Sequence, residues 1–363
     1  MKKNKFIPQV APDVSSIDIK SVTDYMQSGG WLTEHKVTKD FEDMIAKFVG
    51  RKQATAVPNG TIAIYLGLLS SGIGKGDRVA VPNITMIATI NAILWAKATP
   101  VIIDVDESLC MSLSHLIKVK NLKGVIYVPL NGRTKNGLQI MQWCKKNNIV
   151  LIEDSAHALG SKYNNKINCG GLGDISIFSF TPHKIITTGQ GGMVLTNKKK
   201  YYEYLQQIKS FNRRKDKLDW HKDFGLNFKF TDLQASLGIS QFKRIQQIIE
   251  KKLEIYNTYK DNIKSDSFKL GNFDNGEVPW FFEVLSKSKK NIIDLHNNLK
   301  NNHIESRFLY PAISKQGYLK NIQKTDVTYS ENIFDKILWI PSSTSITEAE
   351  QKKVIKIIND FKE

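Results

Sequence analysis

The chain has 363 residues and a mass of 41.2 kDa, a length that favours about two domains. With 41% hydrophobic and 24% charged residues, its composition is that of a folded protein and excludes a disordered or collagen-like chain. The formal net charge is +17, but only seven of the 52 basic residues are Arg. Proteins that bind nucleic acid rely heavily on Arg, so most of this positive charge is interpreted as Lys side chains exposed to solvent. The alternative is that the charge serves to bind an anionic ligand or partner.

The cysteines and the apolar stretches of the sequence indicate where in the cell the protein is expected. Cys110, Cys144 and Cys169 are far apart and odd in number, so neither a disulfide framework nor a zinc site is expected. The most apolar stretch, residues 79–105, is interrupted by Pro, Asn and Lys and does not supply the ~20 apolar residues of a membrane span. With no signal-peptide pattern and no nucleic-acid motif, the sequence predicts a cytoplasmic protein without a membrane or nucleic-acid partner.

Residues 50–200 alternate between short β-branched runs, turns rich in Gly, Asn or Asp, and stretches with helical periodicity. This alternation is the pattern of parallel βαβ units, whose sheets carry helices on both faces. The predicted strands cover 54–57, 78–81, 100–104, 124–128, 149–153, 174–178 and 192–195. The predicted helices cover 61–70, 86–96 and 137–147.

The pattern changes beyond residue 200. Two helices are predicted over 201–210 and 232–263, separated by a basic polar stretch. A second unit follows, with predicted strands over 279–285 and 337–342 and predicted helices over 291–302 and 347–361. The predicted organisation is an α/β large domain over residues 1–245, including an N-terminal arm, and a small α+β domain over residues 246–363.

Two short motifs follow predicted strands. Asn59-Gly60-Thr61 lies between a strand and a helix, where free backbone N–H groups can bind an anion, although the same residues also form an ordinary helix cap. Asp154 directly follows a buried strand, at the end where α/β sheets bind ligands. A carboxylate buried there needs a cationic partner.

The segment 179–192 is the most distinctive one. It contains Lys184 between apolar residues and ends in a cluster of glycines that permits close approach of a bulky group. A lysine removed from water can lose its proton near neutrality and form a Schiff base, although in a lysine-rich chain any single Lys is more often a surface residue. An Asp for a pyridinium nitrogen, a Lys for an aldehyde and a cradle for a phosphate are what pyridoxal phosphate (PLP) requires.

With these motifs in this order, the chain resembles the DegT/DnrJ/EryC1/StrS family of sugar aminotransferases. The resemblance runs essentially end to end and is carried by residues 28–33, 59–61, 72–77, 153–157, 179–192, 225–231 and 305–310. It implies the fold of the fold-type I, aspartate aminotransferase-like enzymes. That fold has a large α/β domain with a mostly parallel sheet and a smaller α+β C-terminal domain.

The resemblance also implies roles for individual residues. The positions that match its cofactor-binding residues are Gly60, Thr61, Met86, Asp154, His157, Ser179, Lys184 and Asn227. Lys184 is implied to be the catalytic residue, which binds PLP covalently and transfers protons, with pyridoxamine phosphate as the aminated form of the cofactor. Asp154 is implied to keep the pyridine nitrogen protonated, and His157 to lie near the ring oxygen. Met86 stands where the family usually has a stacked aromatic ring.

Other matches bear on the subunits and the phosphate. Gly60, Thr61 and Ser179 match phosphate contacts, and Asn227 matches an asparagine that the other subunit supplies. The resemblance therefore implies a homodimer with shared active sites. Lys184, rather than the neighbouring His183, has the family's Lys-x-x-Thr-Thr-Gly spacing, which favours transamination over the dehydration catalysed by a branch with His at that position.

The implied reaction is transfer of an amino group from L-glutamate to a nucleotide-linked 4-keto-6-deoxy sugar, as in the branch of perosamine synthases, for deoxyaminosugar and surface-polysaccharide synthesis. His183, Arg307 and Tyr310 are the candidate substrate-binding residues. A 3-ketosugar aminotransferase of the same family and a non-catalytic PLP-binding regulator are the alternatives. No metal is expected, and the nucleotide, which could be GDP, dTDP or UDP, stays open.

Overall fold

The computed structural model describes residues 6–214, 216–217 and 219–362. The strands within this part are β1 (Gln53–Val57), β2 (Arg78–Pro82), β3 (Thr99–Ile103), β4 (Gly124–Tyr127), β5 (Val150–Asp154), β6 (Lys162–Tyr163), β7 (Ile167–Asn168), β8 (Ile175–Ser179), β9 (Gly192–Thr196), β10 (Lys269–Leu270), β11 (Phe282–Leu285), β12 (Arg307–Phe308), β13 (Gln323–Lys324) and β14 (Ile337–Ile340). The helices are α1 (Ser16–Gln27), α2 (Lys36–Val49), α3 (Gly60–Ser70), α4 (Ala88–Trp95), α5 (Leu113–Leu116), α6 (Gly137–Lys146), α7 (Lys199–Ile208), α8 (Asp232–Lys243), α9 (Ile245–Asn262), α10 (Lys289–Asn301), α11 (Thr328–Ile333) and α12 (Glu348–Asn359).

The large sheet has the strand order β1-β9-β8-β5-β4-β2-β3-β13. All neighbouring strands in it are parallel except β9, which runs antiparallel to both β1 and β8. The prediction of a mostly parallel α/β sheet is confirmed. The reversal at β9 arises because a loop rather than a crossover helix joins β8 to β9, and strands joined by a loop can pair antiparallel.

Burial explains why these segments form strands and helices. The middle residues of the parallel strands, such as Val79 and Val81 in β2, are completely buried, as expected for a sheet covered on both faces. Helix α3 is apolar along most of its length and contacts β8 and β9. Asn59 caps its N-terminus by accepting a hydrogen bond from the backbone N–H of Ile62 at 2.9 Å.

The prediction of one helix over 232–263 was wrong. The structure has two helices, α8 and α9, with Arg244 between them at φ −101° and ψ 6°. The Arg244 guanidinium donates hydrogen bonds to the carboxylates of Asp18 at 2.7 Å and Asp13 at 3.2 Å. Helix α8 contacts α1 and α2, whereas α9 contacts α12. The break therefore lets α8 and α9 pack against different helices, and no Gly or Pro marks it in the sequence.

The C-terminal part has its own sheet, in the order β10-β11-β14-β12. Strand pairing is one of the ways in which it is linked to the rest of the chain. Strand β13 adds to the edge of the large sheet beside β3, and Ile7 in the N-terminal arm bridges to Ile304. The domain boundary at residue 245 stays a prediction. Among the described residues, no helix combines the length and the apolar character that crossing a membrane requires.

Candidate active site

The carboxyl ends of β1, β2, β4, β5 and β8 face a cavity of about 340 Å³. Strand β1 is parallel to β8, since both are antiparallel to β9, and these ends therefore lie at one edge of the sheet. The side chains that line the cavity at the strand ends include Thr61, Met86, Thr89, Asp154, His157, Ser179 and Lys184. Arg307 and Tyr310 line it from the C-terminal part.

Asp154 ends the central strand β5 and is 5% exposed. Its carboxylate accepts hydrogen bonds from the Thr89 hydroxyl at 2.9 Å and from the backbone N–H of Ala156 at 3.3 Å. Burial raises the pKa of Asp154, while these two hydrogen bonds and the charge of Lys184 oppose the rise. The carboxylate is therefore oriented but incompletely neutralised, which suits a cation placed beside it.

Lys184 lies on the loop that joins β8 to β9. The loop is closed by backbone hydrogen bonds from Phe180 N–H to the carbonyl of Gly191 at 2.9 Å and from Thr188 N–H to the carbonyl of Phe180 at 3.0 Å. Ile185 and Ile186 are buried and fix the loop against the core. The side chain that precedes them, Lys184, is thereby directed into the cavity.

The Lys184 amine lies in a largely apolar environment. Its Nζ is 3.7 Å from the centre of the Trp280 ring. Burial lowers the pKa of Lys184 to about 7; the Asp154 charge opposes this effect, and the Arg307 charge adds to it. An amine with this pKa is unprotonated often enough at neutral pH to act as a nucleophile.

His157 and His183 are both held uncharged at neutral pH. Burial and the nearby charge of Lys184 lower the pKa of His157 well below its usual value, and burial lowers the pKa of His183 to about 4. The His157 ring stacks on Trp280 with 4.0 Å between ring centres. Its Nδ1 is buried and has no hydrogen-bond partner in the part of the chain that the structure describes. Such an orphaned polar atom indicates that the cavity is built around a group that supplies the partner.

The N-terminus of α3 forms a narrow cradle. A Cβ atom added to Gly60 would lie 3.0 Å from the Cβ of Ser179 and 3.3 Å from its hydroxyl oxygen, so the two residues face each other closely. The Asn59 side chain uses only the Ile62 N–H, and the first N–H groups of a helix have no partners within it. An anion placed between Gly60, Thr61 and Ser179 would therefore meet free donors.

Comparison with known proteins places this arrangement in a family. A model of the DegT/DnrJ/EryC1/StrS aminotransferase family matches residues 12–359. The chain belongs to this family. It is 33% identical over 362 residues to the GDP-perosamine synthase of Escherichia coli O157:H7, covering 98% of this chain and 99% of that protein. It is 30% identical over 366 residues to the GDP-perosamine synthase of Vibrio cholerae, with coverage of 98% and 99%.

A solved structure supports the fold. The PLP-form of the putative sugar aminotransferase Spr1654 from Streptococcus pneumoniae superposes with a TM-score of 0.91 at 23% identity, covering 98% of each chain. Members of the family are PLP-dependent sugar aminotransferases, and this chain is accordingly a PLP-dependent enzyme of that class. In the part of the chain that the structure describes, no group of His, Cys, Asp or Glu side chains could hold a metal ion.

The residues of this family member fit PLP. A narrow cradle at the N-terminus of α3, a buried carboxylate and a lysine with a lowered pKa line the same cavity, and the buried His157 Nδ1 has no hydrogen-bond partner among the described residues. All the predicted cofactor residues except Asn227 line the cavity, together with the candidate substrate residues His183, Arg307 and Tyr310. Asn227 is exposed and lies outside it. The individual roles stay predictions.

Two residues that the sequence analysis did not single out contact the predicted ones directly. Thr89 holds Asp154, and Trp280 contacts both His157 and Lys184. Thr89 carries a weak sequence signal, because it lies on a helix that begins just beyond the end of β2. Trp280 carries none, since it comes from a different part of the chain and its approach to the cavity depends on tertiary packing.

Proposed function

We propose that this chain transfers an amino group from L-glutamate to the 4-keto carbon of a nucleotide-linked 6-deoxy sugar. The observation that carries the proposal is the meeting of Lys184 and Asp154 in one cavity, in a chain 33% identical to a GDP-perosamine synthase over 98% of its length. A GDP-linked sugar is the first acceptor to test. The product would serve deoxyaminosugar and polysaccharide synthesis.

The chain's own residues supply the binding and the proton transfers. Bound PLP provides an electron sink when a carbon–hydrogen bond of the substrate breaks. Lys184, with a pKa of about 7, can accept that proton and return it at neutral pH. Asp154, fixed by the Thr89 hydroxyl, would hold a proton on the pyridine nitrogen, and Gly60, Thr61 and Ser179 would bind the phosphate.

The substrates approach through the side of the cavity lined by the C-terminal part. Arg307 is exposed there, and no carboxylate of the described ranges lies within ion-pair distance of it. Its guanidinium lies over the rings of Tyr310 and Trp339, at 5.7 Å and 5.5 Å from their centres. A guanidinium that is held in place but unpaired is suited to the diphosphate of a sugar nucleotide or to a carboxylate of glutamate.

The proposal includes a homodimer in which Asn227 completes the neighbouring site. Asn227 is exposed on the stretch that follows α7, and its backbone pairs with Ser210. On the same stretch Trp220 and Phe224 are 54% and 72% exposed, and two large apolar side chains exposed within five residues fit an interface between two copies. Sedimentation of the full chain measures its oligomeric state. Asn227→Ala should weaken PLP binding without changing that oligomeric state.

The decisive experiment is an activity panel. The full chain with PLP and glutamate is incubated with 4-keto and 3-keto sugars linked to GDP, dTDP or UDP, and the aminated products are identified by mass spectrometry and NMR. Amination at C4 supports the proposal. Amination at C3 replaces it with a 3-ketosugar aminotransferase. Bound PLP without any amino transfer replaces it with a non-catalytic regulator.

Lys184→Arg is the matched control, because it keeps a positive charge and removes the nucleophilic amine. We expect it to abolish amino transfer and the absorbance of covalently bound PLP. An unchanged absorbance in this variant would assign the covalent bond to another lysine.

A further inference from the structure

We infer that Trp280 is a positioning residue for Lys184: its indole ring holds the protonated amine of Lys184 at the cavity wall. This inference rests on the proposed catalytic role of Lys184, and it assigns a function to a residue in the loop before β11, 96 positions further along the chain. The supporting observations are the contact itself, the way the indole is fixed, and the absence of a closer counter-ion.

The contact is direct. Lys184 Nζ is 3.7 Å from the centre of the Trp280 ring, within the range of a cation–π interaction. The indole Nε1 donates a hydrogen bond to the carbonyl of His183 at 2.7 Å, so the ring is tied to the residue immediately before Lys184. The His157 ring stacks on the same indole at an interplanar angle of 23°. Trp280 is thus the common neighbour of three cavity residues.

The Trp280 backbone is fixed from two further directions. Its N–H donates a hydrogen bond to the carbonyl of Asn131 at 3.0 Å, and its carbonyl accepts one from Lys252 Nζ at 2.5 Å. Asn131 follows β4 of the large sheet, whereas Lys252 lies on α9. With the Trp280 residue only 1% exposed, its indole has little freedom to move away from Lys184.

The charged groups around Lys184 show why the Trp280 ring matters for its ammonium form. The structure records no ion pair for Lys184 within its described ranges, although the Asp154 charge raises its pKa and the Arg307 charge lowers it. His157 and His183 face it uncharged, and Lys252 lies near Trp280 on α9. The indole therefore contributes a local attraction that acts on the ammonium form.

This attraction suits a lysine that must alternate between two positions. An aromatic face attracts an ammonium through its quadrupole but has little attraction for a neutral amine. A carboxylate at the same place would hold the proton more strongly. The ring stabilises Lys184 while it carries a proton and releases the amine when the proton leaves, so that the amine can move to the cofactor or substrate.

The alternative is that Trp280 only fills the core. It stacks on Phe281 with 3.7 Å between ring centres and packs edge-on against Trp339 at 6.0 Å. Trp280→Phe and Trp280→Met separate core filling from attraction of the ammonium. Both variants lose the indole N–H and have a smaller side chain, but only Phe keeps an aromatic face. Phe281→Leu is the matched control: it disturbs the same cluster at a ring that stacks on Trp280 but has no recorded contact with Lys184 among the described residues.

The measurement is the pH dependence of acetylation of Lys184 in the cofactor-free full chain, quantified by mass spectrometry of the peptide that contains it. Only the neutral amine reacts, so the midpoint of the profile reports its protonation. We expect Trp280→Phe to leave the midpoint near that of the wild type and Trp280→Met to lower it by about one pH unit. At pH 6, where the neutral fraction of the amine is about one half in the Met variant and about one tenth in the Phe variant, the Met variant should react about fivefold faster. Phe281→Leu should lower thermal stability and leave the midpoint unchanged.

A midpoint in Trp280→Met equal to or above that in Trp280→Phe would overturn the inference, because loss of burial alone raises the pKa of a lysine. If the Met variant does not fold, tetrafluorotryptophan at position 280 provides the same test, since it keeps the ring's shape and removes its negative face. The midpoint should fall in that protein as well, and an unchanged midpoint would refute the cation–π contact. Because no sugar substrate enters this measurement, its outcome is independent of the acceptor in the proposed function.

Discussion

Removal of the hydroxyl that holds Asp154 tests the core of the proposed site. In Thr89→Val the side chain keeps its shape but loses the hydrogen bond of 2.9 Å to the carboxylate. Thr89 is completely buried and Asp154 nearly so, and the other donor that the described residues offer this carboxylate is the Ala156 N–H at 3.3 Å. A hydrogen bond to a charged group contributes about 1.5–3 kcal/mol. PLP should therefore bind about ten- to hundredfold more weakly, because its pyridinium meets a less stable carboxylate.

The loss of stability caused by Thr89→Val should also depend on pH, in a direction that follows from the pKa of Asp154. The pKa of Asp154 is raised in the folded chain, so ionisation of this carboxyl costs stability as the pH rises above its unfolded pKa. Loss of the Thr89 hydroxyl increases that cost. The difference in melting temperature between wild type and Thr89→Val, measured without PLP, should thus be larger at pH 7 than at pH 4.

Thr89→Ser is the control, since it keeps the hydroxyl and loses only a methyl group. Titration of each cofactor-free protein with PLP, followed by absorbance, gives the affinities. Equal PLP affinity in the Val and Ser variants, or a stability difference that does not grow with pH, would refute this account of the Thr89–Asp154 contact.

Three further experiments test other parts of the structure. Arg307→Met should raise the KM for the sugar nucleotide at least tenfold with little change in kcat, and Arg307→Lys should recover part of the loss; an unchanged KM in the Met variant would remove Arg307 from substrate binding. Glu283→Gln leaves the buried guanidinium of Arg133 without its counter-ion, so the free energy of unfolding in urea should fall by about 3–5 kcal/mol. Combining it with Arg133→Met should restore much of that loss, whereas a further drop would contradict the ion-pair explanation. Burial lowers the pKa of Lys252 from 10.5 to about 7, and the unfolded chain therefore binds more protons between these values. The stability of the wild type relative to Lys252→Met should rise from pH 7 to pH 10, and a constant difference would show that Lys252 titrates normally.

Local sequence patterns were sufficient for seven strands of the large sheet, all except β13, and for most of the cavity lining. Buried strands appear as β-branched runs, and the motifs around Asn59, Asp154 and Lys184 each begin where such a run ends. Because parallel strands end at the same edge of a sheet, that spacing alone brings the motifs together. The helix break at Arg244 and the reversed direction of β9 were missed, since neither is marked by a residue type that forbids the alternative.

What the sequence by itself determined was the class of fold, the family, and the three groups expected to hold the cofactor. Only the tertiary structure decided which side chains support them. The Thr89–Asp154 hydrogen bond joins residues 65 positions apart, and the Trp280–His183 hydrogen bond joins residues 97 positions apart. Periodicity and capping are set by neighbours along the chain, whereas such contacts depend on how helices and loops pack. The position of Trp280 against Lys184 was fixed in this way, by packing between the C-terminal part and the large sheet.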